Sequence, residues 1–238
     1  MTDAGQDAVL RVDPITGDRT VISSPLIGNG INLEFPLGID VEADGNLVVT
    51  DISLDAILRV DPTTGDRTVV ADATTGSGPV LSFFRSITVD TDGGIIVTDG
   101  TLHGVFRVDP TTGDRTVISD ATTGNGPMFV LPRGIVVDTD GNYVVVDIVL
   151  GVVVFVNRAT GDRRIAGIIF PATRYVATTG NDNGNDCSNP GSPCTTLAHA
   201  VNQANDGDII NLAAGTYNAL GVVIEENLFI RGQGVVVQ

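Results

Sequence analysis

RVDPTTGDRTV occupies Arg59–Val69 and recurs letter for letter at Arg107–Val117. RVDPITGDRTV stands at Arg11–Val21 and a worn copy, FVNRATGDRRI, at Phe155–Ile165, so each copy begins 48 residues after the last. An active site is usually built once; a segment used four times reads as scaffold. Its chemistry is that of a hairpin loop. In the third copy Asp109 can accept hydrogen bonds from backbone amides ahead of it, Pro110 sets φ for the first turn position, and Gly113 supplies a left-handed residue before the strand resumes. Arg107 and Arg115 flank the loop on neighbouring strands, where exposed pairing with nearby Asp is expected and would contribute little.

The period extends beyond this motif. PLGIDVEADGNLVVTDI (Pro36–Ile52) aligns with FRSITVDTDGGIIVTDG (Phe84–Gly100) and with LPRGIVVDTDGNYVVVDI (Leu131–Ile148), and ATTGSGP (Ala73–Pro79) aligns with ATTGNGP (Ala121–Pro127). Within one unit, apolar runs at Ser86–Val89, Ile95–Thr98, Val105–Val108 and Arg115–Ser119 are separated by turn signals at Asp90–Gly93, Gly100–Gly104 and Asp109–Asp114. Asp-Gly between apolar runs is a strong hairpin signal. Four antiparallel strands per 40–50 residues describe a propeller blade. Ala8–Ser23 is expected to supply only the last two strands of a first unit, ahead of three complete ones ending near Ala166.

Gly134-Ile135-Val136-Val137-Asp138-Thr139-Asp140-Gly141-Asn142 with Asp147, and the Arg107–Gly113 hairpin, resemble NHL-type repeats and the related gluconolactonase-like propellers, over about residues 7–166. The resemblance implies an all-β fold, an incomplete β-propeller of about three and a half blades, where such families usually close a ring of six. An open arc leaves strand edges and an apolar flank that invite self-association. It also implies that in gluconolactonase-like enzymes Glu, Asn and Asp ligands converge on a metal in the central channel. Here Asp40 falls on the expected inner strand where the other copies carry Thr88 and Val136.

From Tyr175 the period disappears. The expected order is a strand at Tyr175–Ala177, a Gly/Asn/Asp loop, a helix capped by Thr195 or Thr196 and running to about Asn205, and a strand at Ile209–Leu212. Leu197, Ala200, Val201 and Ala204 would form the helix's apolar face, Asp206-Gly207-Asp208 would end it, and Ala213–Tyr217 would turn the chain before strands at Val222–Ile224 and Leu228–Gly232. The Cys-bracketed loop, DGDIINLAAGTYN and NLFIRGQG resemble the N-terminal cap and first coils of pectate-lyase-like right-handed parallel β-helices. The organisation expected is therefore a partial propeller (1–166), a linker (167–174) and a β-helix start (175–238). Cys187 and Cys194, bracketing a short loop of turn formers, are expected to form a disulfide, which points to an oxidising compartment and an extracellular or cell-surface location.

Composition agrees with this reading. With 42% hydrophobic residues the chain can bury a core, and without Trp that core must rest on Val, Ile and Leu. The 13 basic residues are all Arg against 29 acids, and a net charge of -16 disfavours nucleic acid as a partner. No apolar run approaches the ~20 residues needed to span a bilayer, and MTDAGQDAVL has no signal-peptide pattern.

No catalytic residue, cofactor or metal set emerges. His103 lies in a loop where the other units hold Asp55 and Gly151; His199 lies beside the helix's apolar face, and both read as exposed. Asp90-Thr91-Asp92-Gly93 and Asp138-Thr139-Asp140-Gly141 start like calcium loops, but from Asp90 the sixth and twelfth positions are Ile95 and Thr101 rather than Gly and Glu. Asp182 and Asp186 offer a second, weak calcium candidate. The function expected is a non-enzymatic secreted or surface module that binds protein or carbohydrate; the alternative is a fragment of a metal-dependent gluconolactonase-like hydrolase or of a polysaccharide lyase.

Overall fold

In the computed structural model, which describes residues 1–168, 172–205, 208–220, 222–223 and 228–238, the chain divides into two compact units, Met1–Ala166 and Gly167–Gln238. The first holds four antiparallel sheets in chain order. β1 (Thr2–Asp3), β2 (Ala8–Val12) and β3 (Arg19–Ser23) form a three-stranded sheet. β4 (Pro36–Val41), β5 (Leu47–Asp51), β6 (Ala56–Val60) and β7 (Arg67–Ala71) form a four-stranded one. β8 (Phe84–Val89), β9 (Ile95–Asp99), β10 (Gly104–Val108) and β11 (Arg115–Ser119) repeat it, as do β12 (Pro132–Val137), β13 (Tyr143–Asp147), β14 (Val152–Val156) and β15 (Arg163–Ile168). These are propeller-type blades. The first is fuller than expected, because Thr2 and Asp3 pair with Val9 and Ala8 and supply the end of its second strand.

Side-chain alternation explains why the strands read as unbroken apolar runs. On β5, Val48 packs with Phe84, Ile95 and Phe106 of the third sheet, while Val49 packs with Val9 of the first. A sheet with neighbours on both faces must be apolar on both, and β9 is buried at all five positions. On β13, in the last sheet, buried and half-buried positions alternate.

Two polar devices recur in register. Asp51, Asp99 and Asp147, each fully buried at the end of its blade's second strand, accept hydrogen bonds from backbone N–H groups on both sides. Asp51 takes those of Glu34, Phe35, Ser53 and Leu54, and Asp147 those of Val130, Leu131, Val149 and Leu150. Asp3 holds the N–H groups of Gly5 and Gln6 in the same way. A buried carboxylate is tolerated when its oxygens are this fully bonded.

The second device lies in the opening motif. The hairpin turn forms as expected, with Asp109 accepting from Thr111 and Thr112 N–H. The arginine that follows behaves differently from expectation. Arg67, Arg115 and Arg163 are only 4%, 5% and 6% exposed and bond to backbone carbonyls of the preceding blade's outgoing loop instead of pairing with Asp. Arg67 donates from Nε to Ile31 O (2.6 Å) and from Nη1 to Ser23 Oγ (2.6 Å), Ser24 O (2.9 Å) and Ile27 O (2.8 Å). Arg163 repeats this with Pro127, Ser119, Asp120 and Thr123. Arg115 bonds to Asp72 O and Gly76 O, but Ala71 replaces the serine and its buried Nε is without a partner. Around each arginine the backbones interlock. Arg67 N–H donates to Asn29 O, and Asp66 accepts from Asn29 N–H at 2.7 Å. Gly28 lies so close to Gly65 O that a Cβ would sit 1.9 Å from it. Half-buried Arg107 does pair with nearby Asp, with Asp90 and Asp92.

In the second unit, β16 (Thr173–Val176) opens two residues earlier than expected; residues 169–171 of the expected linker lie outside the described residues. α1 (Leu197–Gln203) is capped by Thr196 and buries Leu197, Ala200 and Val201; Asp206 and Gly207 lie outside the described residues. β17 (Ile209–Leu212) pairs parallel to β16. Gly215–Tyr217, expected as part of a turn, is a strand, β18, because Tyr217 is anchored in the core with its hydroxyl on Ala213 O at 2.8 Å. β19 (Phe229–Arg231) lies parallel to β17 and β20 (Val235–Val237) parallel to β18, both 20 residues out of step. Val222 and Val223 are not in a strand, and Ile224 lies outside the described residues.

The arginines set two expectations for stability. Arg67→Ala removes the donor shared by several loop carbonyls and the buried Ser23 hydroxyl and should cost about 3 kcal/mol, whereas Arg19→Ala, on the exposed first hairpin, should stay within about 0.5 kcal/mol, as urea midpoints would show. The N–H groups of Asn29 and Asn125 hold Asp66 and Asp162, respectively, below the ordinary carboxylate value of 3.8. A depressed carboxylate contributes stability above its unfolded value and loses it as pH falls, so melting temperature should decline on acidification through pH 4 and below.

Candidate functional site

The first strands of three successive sheets, β4, β8 and β12, pack side by side, β8 against both others. Equivalent positions along them hold Leu37, Arg85 and Arg133, then Asp40, Thr88 and Val136. Asp40, the expected candidate on this row, is committed to scaffold. Its Oδ2 accepts from Thr88 Oγ1 (3.1 Å) and Val89 N–H (2.7 Å), and its Oδ1 from Val41 N–H. It therefore stitches the second blade to the third.

Arg85 and Arg133 are not committed in this way. Neither forms an ion pair among the described residues; Arg85 lies over the Phe83 ring at 3.4 Å with its Nε buried and without an acceptor. Burial, and then the neighbouring charge of Arg133, push the Arg85 guanidinium below its ordinary value. Two like charges at equivalent places on adjacent strands repel each other and favour an anion that both can contact. The signal in the sequence was an arginine recurring at a 48-residue interval in the third and fourth blades where the second has Leu37.

The first calcium candidate is built into a second network. Asp90, its side chain fully buried, receives Tyr143 Oη at 2.8 Å, Arg107 at 3.2 Å and Arg158 at 3.1 Å. Asp92 is held by the same two arginines at 2.8 and 2.6 Å. Two guanidinium groups on two carboxylates leave little charge for a cation, and the arrangement ties the third blade to the fourth. Burial, and then the bond to Asp90, raise the Tyr143 hydroxyl so that it stays protonated. Tyr143 and Arg158 were visible as departures from the repeat, standing where other units have Leu47 or Ile95 and Pro62 or Pro110. In the other candidate turn, Asp138 accepts from Asp140 and Asn142 N–H.

His103 is exposed, as expected. Its backbone φ is 51°, and its equivalents Asp7, Asp55 and Gly151 are at 50°, 47° and 68°, so the position calls for a left-handed residue. His199 differs from expectation: it is half-buried, with Nε2 2.7 Å from Asn185 O. Cys187 and Cys194 form the expected disulfide. With His199 they are the only three His, Cys, Asp or Glu donors gathered within 4.8 Å among the described residues, and both sulfurs are consumed by the bond. Asp182 secures the start of α1, accepting from Thr195 N–H, Thr196 N–H and Thr196 Oγ1, and Asp186 accepts from Ser188.

No family model and no curated protein matches the sequence. Solved structures share the fold. A catalytically inactive virginiamycin B lyase from Staphylococcus aureus matches with a TM-score of 0.52 at 19% identity, over 71% of this chain and 52% of that one. A protein assigned as a gluconolactonase matches with 0.51 at 18%, over 76% and 60%. The extracellular domain of a one-component system protein from B. thetaiotaomicron matches with 0.50 at 20%, over 68% and 22%. The chain thus spans 60% or less of the length of each.

Since residue 103 is held left-handed, His103→Gly should stabilise the chain by roughly 1 kcal/mol in thermal unfolding, a result that a structural role for the imidazole would reverse.

Proposed function

We propose that this chain is a non-enzymatic repeat module of an extracellular or surface protein, whose first unit binds an anionic protein or carbohydrate partner through Arg85 and Arg133. The observation that carries the reading is the contrast on the inner strands. Asp40 is spent on joining blades, as the buried Asp51, Asp99 and Asp147 are spent on loops, whereas the two arginines are left to a ligand. The second unit supports a further part of the reading. Parallel pairs repeating at 20 residues, capped by a short helix and a disulfide-closed loop, suit the opening of a parallel β-helix, the architecture of many surface proteins. The disulfide itself favours an oxidising compartment.

Calorimetric titration with a short oligogalacturonate, with neutral dextran as control, tests the binding. Each of Arg85→Ala and Arg133→Ala should weaken it about tenfold, the worth of one charge-assisted contact. Calcium-stimulated turnover of a lactone or of pectin would favour the enzyme reading instead.

A further inference from the structure

The repeat places four Gly-Asp-Arg hairpins in the first unit but, among the described residues, three loops of the kind they hold. Gly65-Asp66-Arg67, Gly113-Asp114-Arg115 and Gly161-Asp162-Arg163 each grip a Gly-X-Gly loop, at Gly28–Gly30, Gly76–Gly78 and Gly124–Gly126. The grip is the same each time. The arginine N–H donates to the middle residue's carbonyl at 2.8, 2.7 and 2.6 Å, and the aspartate accepts that residue's N–H at 2.7 Å in all three. The fourth hairpin, Gly17-Asp18-Arg19, has the same residues and the same turn, with Asp13 accepting from Ile15 and Thr16 N–H. Yet residues 11–21 are all exposed. Val12 is 39% exposed where Val60, Val108 and Val156 are fully buried, and a Cβ on Gly17 would meet nothing within 4 Å where one on Gly65 would strike Ile22 O.

We propose that the Asp13–Arg19 hairpin is a docking site for the outgoing loop of a further unit of this same 48-residue pattern. The ligand is specified by the three gripped loops. It is an outer strand ending in a small residue, serine in Ser23–Gly30 and Ser119–Gly126 and alanine in Ala71–Gly78, then four residues, then Gly-X-Gly. It presents the carbonyls of the residues one, four and five places after the serine to the guanidinium fork. Recognition through backbone leaves the other loop residues free to vary. A second copy of this chain is the poorer occupant, because its three loops of this kind are each held by its own hairpins.

The test joins a copy of residues 97–144 in register ahead of Met1, so that the added Ser119–Gly126 loop meets Arg19 as the native one meets Arg163. Urea unfolding is then compared with and without the added unit, for the wild type, Arg19→Ala and Arg19→Lys. The expected result is a double-mutant coupling: both substitutions leave the original chain's midpoint unmoved and shift the extended chain's by as much as Arg163→Ala does. Absence of coupling overturns the proposal, including absence because the added unit does not fold. So does concentration-dependent dimerisation of the original chain that Arg19→Ala abolishes, since the occupant would then be a second copy. None of these outcomes depends on whether Arg85 and Arg133 bind an anion.

Discussion

An arginine buried against backbone carbonyls is the interaction on which the first unit depends. A guanidinium carries five N–H donors in a fixed plane, and at Arg67 and Arg163 that plane collects carbonyls from a loop of the preceding blade together with a serine hydroxyl. Burial pushes both guanidinium groups below their ordinary value, so the charge must be solvated by the peptide dipoles around it. No acid partner is needed. The loops can therefore read Leu26-Ile27-Gly28-Asn29-Gly30 in one place and Thr122-Thr123-Gly124-Asn125-Gly126 in another without loss of the contact.

The same logic explains where the acids go. A strongly negative chain would be expected to spread its charge over the surface for solubility. Many of its aspartates instead serve as acceptors for backbone N–H groups: at the hairpin turns, at the blade boundaries and in the buried positions of Asp51, Asp99 and Asp147. Asp is short enough to reach an amide two or three residues away, which suits it to these places better than Glu. When the acids of a repeat are spent on geometry, chemistry has to come from residues that break the pattern. Arg85 and Arg133 break it by recurring where the second blade has Leu37. Tyr143 and Arg158 break it and are absorbed into a further tie between blades.

Much of this architecture was legible in the letters. The period of 48, the Asp-Gly turns and the alternating apolar runs placed the strands of the second, third and fourth blades to within about two residues, because hairpin chemistry is local. The Cys187–Cys194 ring and the helix with its Thr196 cap were readable for the same reason. Less local elements were misread. Gly215–Tyr217 looked like a turn because Gly and Thr favour one, and it became a strand through pairing with Val235–Val237 and burial of Tyr217. Thr2–Asp3 was too short to read as a strand without its partner, Ala8–Val9.

What the sequence determined alone is the repeated unit: which residues turn, which extend, and that the turns carry Asp, Gly and Arg in fixed order. What only the tertiary structure decided is the role of those letters between units. Arg19 and Arg67 occupy the same place in the same motif, and one is exposed while the other is buried among carbonyls. The difference lies in a loop about 40 residues earlier in the chain, and a contact across that distance exists only once two sheets have packed against each other.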